Sequence, residues 1–215
     1  MGYKIAIDGP AGSGKSTISK IIAKNNNLLF ISTGYFYRSY AYLLQKKNLL
    51  NVNWKEQKEF LEKQKIVIKD DELFINDICK TKDIKEDKIS RLASDLSIKK
   101  EIRDFSKVAQ QEIASKNDVI LDGRDIGTVV MPDANLKIYL TASIKERAKR
   151  RVKELDSLSM KANYLSIWFS IFKRDWKDKH RKIAPLKKAK DAFVVKTNKK
   201  NIDQVVDEIQ KLIKK

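Results

Sequence analysis

Eight residues near the start of the chain, GPAGSGKS at 9–16, carry the sharpest chemical signal in the sequence. They fit G-x-x-x-x-G-K-[ST], with an alternating aliphatic run before them (YKIAID, 3–8) and helical spacing after them (Ile18, Ile21, Ile22). In such a loop Gly9, Gly12 and Gly14 let backbone N–H groups turn around phosphate oxygens, and the following helix N-terminus adds partial positive charge. Ser13 and Thr17 belong to the same cradle. Lys15 is expected to reach the β- and γ-phosphates of a nucleoside triphosphate, and the Ser16 hydroxyl to ligate Mg²⁺. Asp122, at the end of the run DVILD, is placed to hold that ion through water, although strands also end in Asp for turn reasons alone. The motif specifies a triphosphate such as ATP and is silent about what accepts the phosphoryl group.

The arginines carry the second signal. Lysine outnumbers arginine 37 to 9, so a guanidinium in this chain suggests a need for its rigid bidentate fork. Arg124 and Asp125 directly follow a strand, where ligands of open α/β sheets bind, and Arg38 lies early in a helix that follows another strand. Arg103 falls within a predicted helix. Arg147 and Arg151 are one helical turn apart, so both can face one ligand, or both can simply be solvated. In FKRDWKDKHRKIAP (172–185), Arg174, Asp178 and Arg181 recur at i, i+4, i+7 on one stripe, while Lys173, Lys177, Lys179 and Trp176 fall elsewhere. An acid on that stripe would repel a nucleic-acid backbone and suits a ribose hydroxyl or a base amino group beside an anion. A salt-bridged helix explains the same spacing without a ligand.

The elements that must position these residues can be read from periodicity. Strands are predicted at 3–8, 28–31, 118–122, 136–140 and 192–195, with a helix beginning near Gly34. Ser143-x-x-Glu146 and Asn201-x-x-Gln204 read as capping boxes opening two further helices. Strands alternating with helices imply an α/β fold, a parallel sheet covered on both faces. The run KIVIKDDELFIND (65–77) breaks the rhythm as a small β-hairpin inserted between helical stretches.

Composition bounds the rest. A 215-residue chain with 42% hydrophobic residues can bury one α/β core. The densest apolar run, LSIWFSIF (165–172), is too short to cross a bilayer. One cysteine excludes an internal disulfide framework, and one histidine with one cysteine cannot form a zinc cage. The start of the chain lacks a signal-peptide pattern, so a cytoplasmic location is expected. The formal charge of +18 could attract nucleic acid or a membrane, but lysine is scattered through every segment rather than gathered in one stripe, as a lysine-biased composition produces.

IDGPAGSGKST, STGYFYR, DGRDIGTVVMPDA, ERAKRR and RDWKDKHRKIAPL together resemble the bacterial cytidylate (CMP) kinases, within the nucleoside monophosphate kinases. The likeness covers nearly the whole chain. It implies a P-loop three-layer sandwich with a parallel sheet, a β-hairpin insertion and a short helical lid. The implied division is a core of 1–33, 117–156 and 186–215, a monophosphate-binding region at 34–116 and a lid at 157–185. By the same resemblance Thr33, Arg103, Asp125 and Arg181 surround the cytosine, Ser94, Arg174 and Asp178 contact the ribose, and Arg38 and Arg124 grip the acceptor phosphate. Arg147 and Arg151 correspond to lid-edge arginines facing ATP. Ser32 and Tyr35 depart from the family's usual acid and small residue, Ala109 to Gln111 stand where an arginine-flanked glutamine is common, and Lys177 and Lys179 stand where arginine is frequent.

The expected reaction is transfer of the γ-phosphoryl group of ATP, with Mg²⁺, to CMP or dCMP. Lys15, Arg124, Arg151 and Arg174 are its expected catalytic groups. No nucleic-acid or membrane partner is expected, and the resemblance leans toward a monomer. Two rival readings remain at this level: a different small acceptor such as UMP, and a basic nucleic-acid-binding ATPase.

Overall fold

The computed structural model describes residues 2–213 except 70, 158 and 161. In chain order the elements begin with β1 (Lys4–Asp8), α1 (Lys15–Asn25), β2 (Leu29–Ser32), α2 (Gly34–Lys46) and α3 (Trp54–Glu62). Next come β3 (Ile66–Lys69), β4 (Glu72–Ile75), β5 (Ile78–Cys79), α4 (Asp87–Leu96) and α5 (Lys100–Lys116). The last are β6 (Val119–Gly123), β7 (Leu136–Thr141), α6 (Ile144–Ser157), α7 (Tyr164–His180), β8 (Phe193–Lys196) and α8 (Ile202–Ile213). The chain forms two compact units, Met1–Leu29 with Ala114–Lys215, and Phe30–Ile113.

The larger sheet is ordered β2-β6-β1-β7-β8, and β6, β1, β7 and β8 belong to the first unit. β1 pairs in parallel with β6 on one side and β7 on the other, and β7 pairs in parallel with β8. Ile5, Ala6, Ile7, Val119, Ile120 and Leu121 have no exposed surface. Strands buried on both faces carry unbroken aliphatic runs, which is why these segments lack a polar alternation. Register aligns Asp8 with Gly123 on one side and Tyr139 on the other. The carboxyl ends of three neighbouring strands therefore meet at one edge, and the loops leaving them hold the chemistry.

The predicted capping box at Asn201 forms fully, but the one at Ser143 forms only half, because the Ser143 N–H donates to Asn198 Oδ1 at 3.2 Å instead of to Glu146. Glu146 N donates to Ser143 Oγ at 3.2 Å. Asn201 and Gln204 exchange backbone-to-side-chain hydrogen bonds of 2.8 and 3.0 Å at the start of α8. Asn26 and Gln210 pair reciprocally through their amides, joining the end of α1 to α8.

In the second unit the expected hairpin is a three-stranded antiparallel sheet, β3-β4-β5. The sequence reading stopped at residue 77, yet Asn76 and Asp77 both adopt positive φ, 50° and 64°, and return the chain as β5. Two left-handed residues in succession make the tight hairpin turn whose twist suits flanking strands. Tyr35, one of the positions that depart from the family pattern, is buried and donates its hydroxyl to Asp71 at 3.0 Å. A small residue there could not make this tie between α2 and the β3–β4 turn.

Candidate active site

The phosphate loop follows β1 with the geometry its glycines permit. Gly12 and Gly14 hold φ of 72° and 90°. A Cβ on Gly9 would lie 2.0 Å from the Leu140 carbonyl oxygen, so no other residue fits there. Gly14 is the N-cap of α1 and supplies no side-chain cap, which leaves the first N–H groups of the helix to an anion.

Lys15 is buried, with Nζ 2.8 Å from the Pro10 carbonyl and 3.5 Å from Ser13 Oγ. Burial, and then the like charge of Arg124, push its pKa well below the ordinary lysine value, against the pull of Asp122, Asp8 and Asp178. A polyphosphate is the kind of ligand that would favour the charged form of a lysine buried beside a guanidinium. Ser16 Oγ donates to Asp122 Oδ2 at 2.5 Å, so a hydroxyl and a carboxylate already converge beside the loop. Among the described residues no group of three or more His, Cys, Asp or Glu could hold a metal. This donor set suits Mg²⁺, which keeps several waters and binds through few protein groups and phosphate oxygens.

A residue that sequence reasoning missed organises the neighbouring loop. Asp8, the last residue of β1, is buried and accepts hydrogen bonds of 2.8 Å from both the Ile126 and Gly127 N–H groups. Burial pushes its carboxyl up to about 6, against those two hydrogen bonds. The bonds anchor a single wide turn, Ile126–Val130, closed by Met131 N to Ile126 O at 2.7 Å. Gly127 is closely packed: a Cβ would come within 3.2 Å of Lys137 Cδ and 3.4 Å of Asp8 Oδ2, so those side chains would have to give way. The available signal was a strand-ending acid immediately before the phosphate loop. Asp8 thereby fixes the segment that carries Arg124 and Asp125.

Helix α7 meets that segment through ion pairs. Arg124 Nε donates to Asp178 Oδ2 at 2.9 Å, and Arg181 Nη2 to Asp125 Oδ1 at 3.1 Å. Burial opposes ionisation of Asp178, but Arg124, by charge and hydrogen bond, with Arg174 and Arg181, holds its carboxyl below the ordinary carboxylate range. The predicted stripe thus faces residues 124 and 125, with one correction. Arg181 is not helical: α7 ends at His180, and Arg181 caps it in an extended conformation (φ −63°, ψ 139°). The third member of the stripe reaches its partner from the chain beyond the helix.

Arg147 and Arg151, one turn apart, sit in different surroundings. Arg147 is buried and bonds Ala142 O, Ala11 O and both oxygens of Asp175, the shortest at 2.6 Å. It packs against the phosphate loop, its Cβ 3.5 Å from where a Cβ on Gly12 would sit. Arg151 is half-exposed and pairs with Glu154 at 2.9 Å. Buried Asp175 is the partner that one-dimensional spacing could not supply, although an acid in so lysine-rich a run was a hint.

In the second unit, Thr33 is buried at the start of α2, and Arg38 lies one turn on, its Nη1 3.8 Å from where a Cβ on Gly34 would be. Ser94 is half-buried on α4. Arg103 is buried on α5, donates to Ser97 O at 2.9 Å and lies 5.6 Å over the Tyr37 ring.

A parallel sheet with a glycine-rich phosphate loop after its central strand defines a P-loop fold, the architecture of nucleotide-dependent phosphotransferases. The fold alone is shared with shikimate kinase from Bacteroides thetaiotaomicron, TM-score 0.52 at 14% identity over 99% of both chains. The family model for cytidylate kinase matches residues 5–215, and the chain belongs to the cytidylate kinase family. A cytidylate kinase of Clostridium tetani is 44% identical over 99% of this chain and 94% of its own length. One from Clostridium botulinum is 39% identical over 100% of this chain and 99% of its own.

Proposed function

We propose that the protein transfers the γ-phosphoryl group of ATP to CMP or dCMP, giving the nucleoside diphosphate. The observation that carries this reading is the convergence of Lys15, the Ser16–Asp122 pair and the ion-paired Arg124, Asp125, Asp178 and Arg181 at the carboxyl ends of β1 and β6. The acceptor phosphate is already an anionic nucleophile, so positioning and charge neutralisation suffice and no general base is needed. Lys15 and the N–H groups of the loop 9–17 hold the triphosphate, with Arg147 stiffening that loop from behind and Arg151 at its rim. Ser16 and, through water, Asp122 would hold Mg²⁺. The ion supplies charge neutralisation along the phosphates when bound.

Arg124 and Arg174 act on charge that develops during transfer, where preorganised donors are most effective. Asp125, Asp178 and Arg181 offer acceptors and a donor to base and ribose. On the family pattern, Thr33, Arg38, Ser94 and Arg103 complete recognition of the acceptor. Segment 157–185 is the proposed lid, 34–116 the acceptor-binding region, and 1–33 with 117–156 and 186–215 the core. Monomeric action in the cytoplasm is part of the same proposal, as is a role in pyrimidine nucleotide metabolism.

An ADP-release assay across CMP, dCMP, UMP and AMP tests the reading. Preference for the cytosine nucleotides is expected, and equal or greater rates with UMP or AMP would overturn the specificity. Arg174→Ala is expected to lower turnover by about 10²–10³ while leaving the melting temperature nearly unchanged. Wild-type activity in that variant would remove Arg174 from the mechanism.

A further inference from the structure

The helix that carries Asp175 and Asp178 toward the core is inverted in its other half. Leu165, Phe169, Phe172 and Trp176 are 63%, 61%, 46% and 58% exposed. Their spacing, i, i+4, i+7, i+11, gathers them within about 60° of arc on a 3.6-residue helix, on the side opposite Arg174. The stripe is pre-assembled. Trp168 stacks on Phe172, with ring centroids 5.6 Å apart and planes 3° from parallel, and meets Phe169 edge-on at 5.2 Å. Beside it opens an apolar cleft of about 290 Å³ lined by Lys145, Tyr164, Leu165, Trp168 and Phe169. Scattered exposed apolar residues need no explanation, but a contiguous aromatic stripe does.

We propose that the outward face of α7 docks on an anionic phospholipid bilayer surface. Charge complementarity selects this occupant. Both acids of α7 are buried on its inner side, while Lys173 and Lys179 flank the stripe in solvent and Lys145 edges the cleft. Aromatic and leucine side chains bordered by cations form the pattern that lies in a lipid interface, the rings at headgroup level and the cations on phosphates. A second copy of the chain is a poorer fit, since each copy carries a formal charge of +18 and would set lysine-flanked stripes against each other. The sequence led to no membrane partner because no segment can span a bilayer and the lysines are scattered rather than gathered in one stripe. Among the described residues no helix is long and apolar enough to cross one, but a surface-lying face needs no span. The stripe lies on the face of α7 opposite Arg174.

The test uses the intact protein with vesicles of phosphatidylcholine alone or with about a third phosphatidylglycerol. Co-sedimentation is expected to favour the anionic vesicles by about tenfold at low salt. Tryptophan emission should shift to the blue, with Trp168 and Trp176 entering a drier environment. Phe169→Ser with Phe172→Ser should abolish binding and the emission shift while keeping the wild-type circular-dichroism spectrum. Trp176→Ser alone, a smaller change, should weaken binding in the same direction if the double variant folds poorly. No binding to anionic vesicles overturns the proposal, as does equal binding to neutral ones. So does undiminished binding by both variants, which would mean lysine adsorption alone. A dimer in light scattering that the serine variants disperse would assign the stripe to a second copy and overturn it too.

Discussion

Asp175→Ala removes the carboxylate that faces Arg147 and leaves a guanidinium in the protein interior. Both side chains are almost completely buried, 3% and 7% exposed, and are joined by bonds of 2.6 and 3.1 Å. Breaking such a pair from one side costs about 3–5 kcal/mol, because the surviving charge is desolvated without its partner. In a domain of this size each kcal/mol lowers the melting temperature by about 2–4 °C, so a fall of about 6–20 °C is expected. Replacing both partners, Arg147→Met with Asp175→Leu, removes the desolvation cost together with the attraction and should recover most of that loss. The recovered variant still lacks the Arg147 donor to Ala11 O in the phosphate loop. It should therefore show a raised KM for ATP at near-normal stability. Thermal melts and urea titrations of wild type, both single variants and the double variant form a double-mutant cycle that yields the coupling directly. A fall under about 2 °C in Asp175→Ala, with no coupling in the cycle, would refute the view of this pair as a buried strut.

The remaining expectations concern the loop edge. Lys15→Met should reduce phosphoryl transfer by about 10³ or more, yet leave stability unchanged or raised, because a buried ammonium shifted down by burial and Arg124 is removed; a clear loss of stability would mean the cation is structural. Asp8 titrates near 6 in the fold against 3.8 in the free chain. Its contribution to stability is thus complete below 3.8 and is lost as pH rises through about 6, a swing of about 3 kcal/mol. Asp8→Asn cannot titrate, so urea unfolding should show wild type gaining on the variant by about that amount between pH 7.5 and pH 4; a constant difference across the range contradicts a buried carboxylate. Gly127→Ala must displace Lys137 or Asp8 and should cost about 1–3 kcal/mol, measured by thermal melt, with a loss of turnover as residues 124 and 125 shift.

The sequence alone was enough for everything that local spacing encodes. The phosphate loop, five strands of the main sheet, the Ser143 N-cap and the capping box at Asn201 are all short-range patterns. Each is dictated by backbone geometry within a few residues, and so survives in one dimension. Even the inward stripe of α7 was legible, because Arg174 and Asp178 are fixed to one helical face by 3.6-residue periodicity. Partner choice was not. Arg147 and Arg151 have the spacing of a shared ligand site, yet the fold buries the first against Asp175, 28 residues away, and leaves the second beside Glu154 at the surface. Asp8 looked like the end of a strand until β6 and its following turn, more than a hundred residues later, brought two N–H groups to its carboxylate. The outward aromatic face of α7 was equally hidden, since its apolar spacing reads the same whether a helix turns it toward a core or toward water. Helical and strand periodicity specify which side chains share a face. Only tertiary packing decides what that face meets, and whether a charge on it ends with a partner, a ligand or solvent.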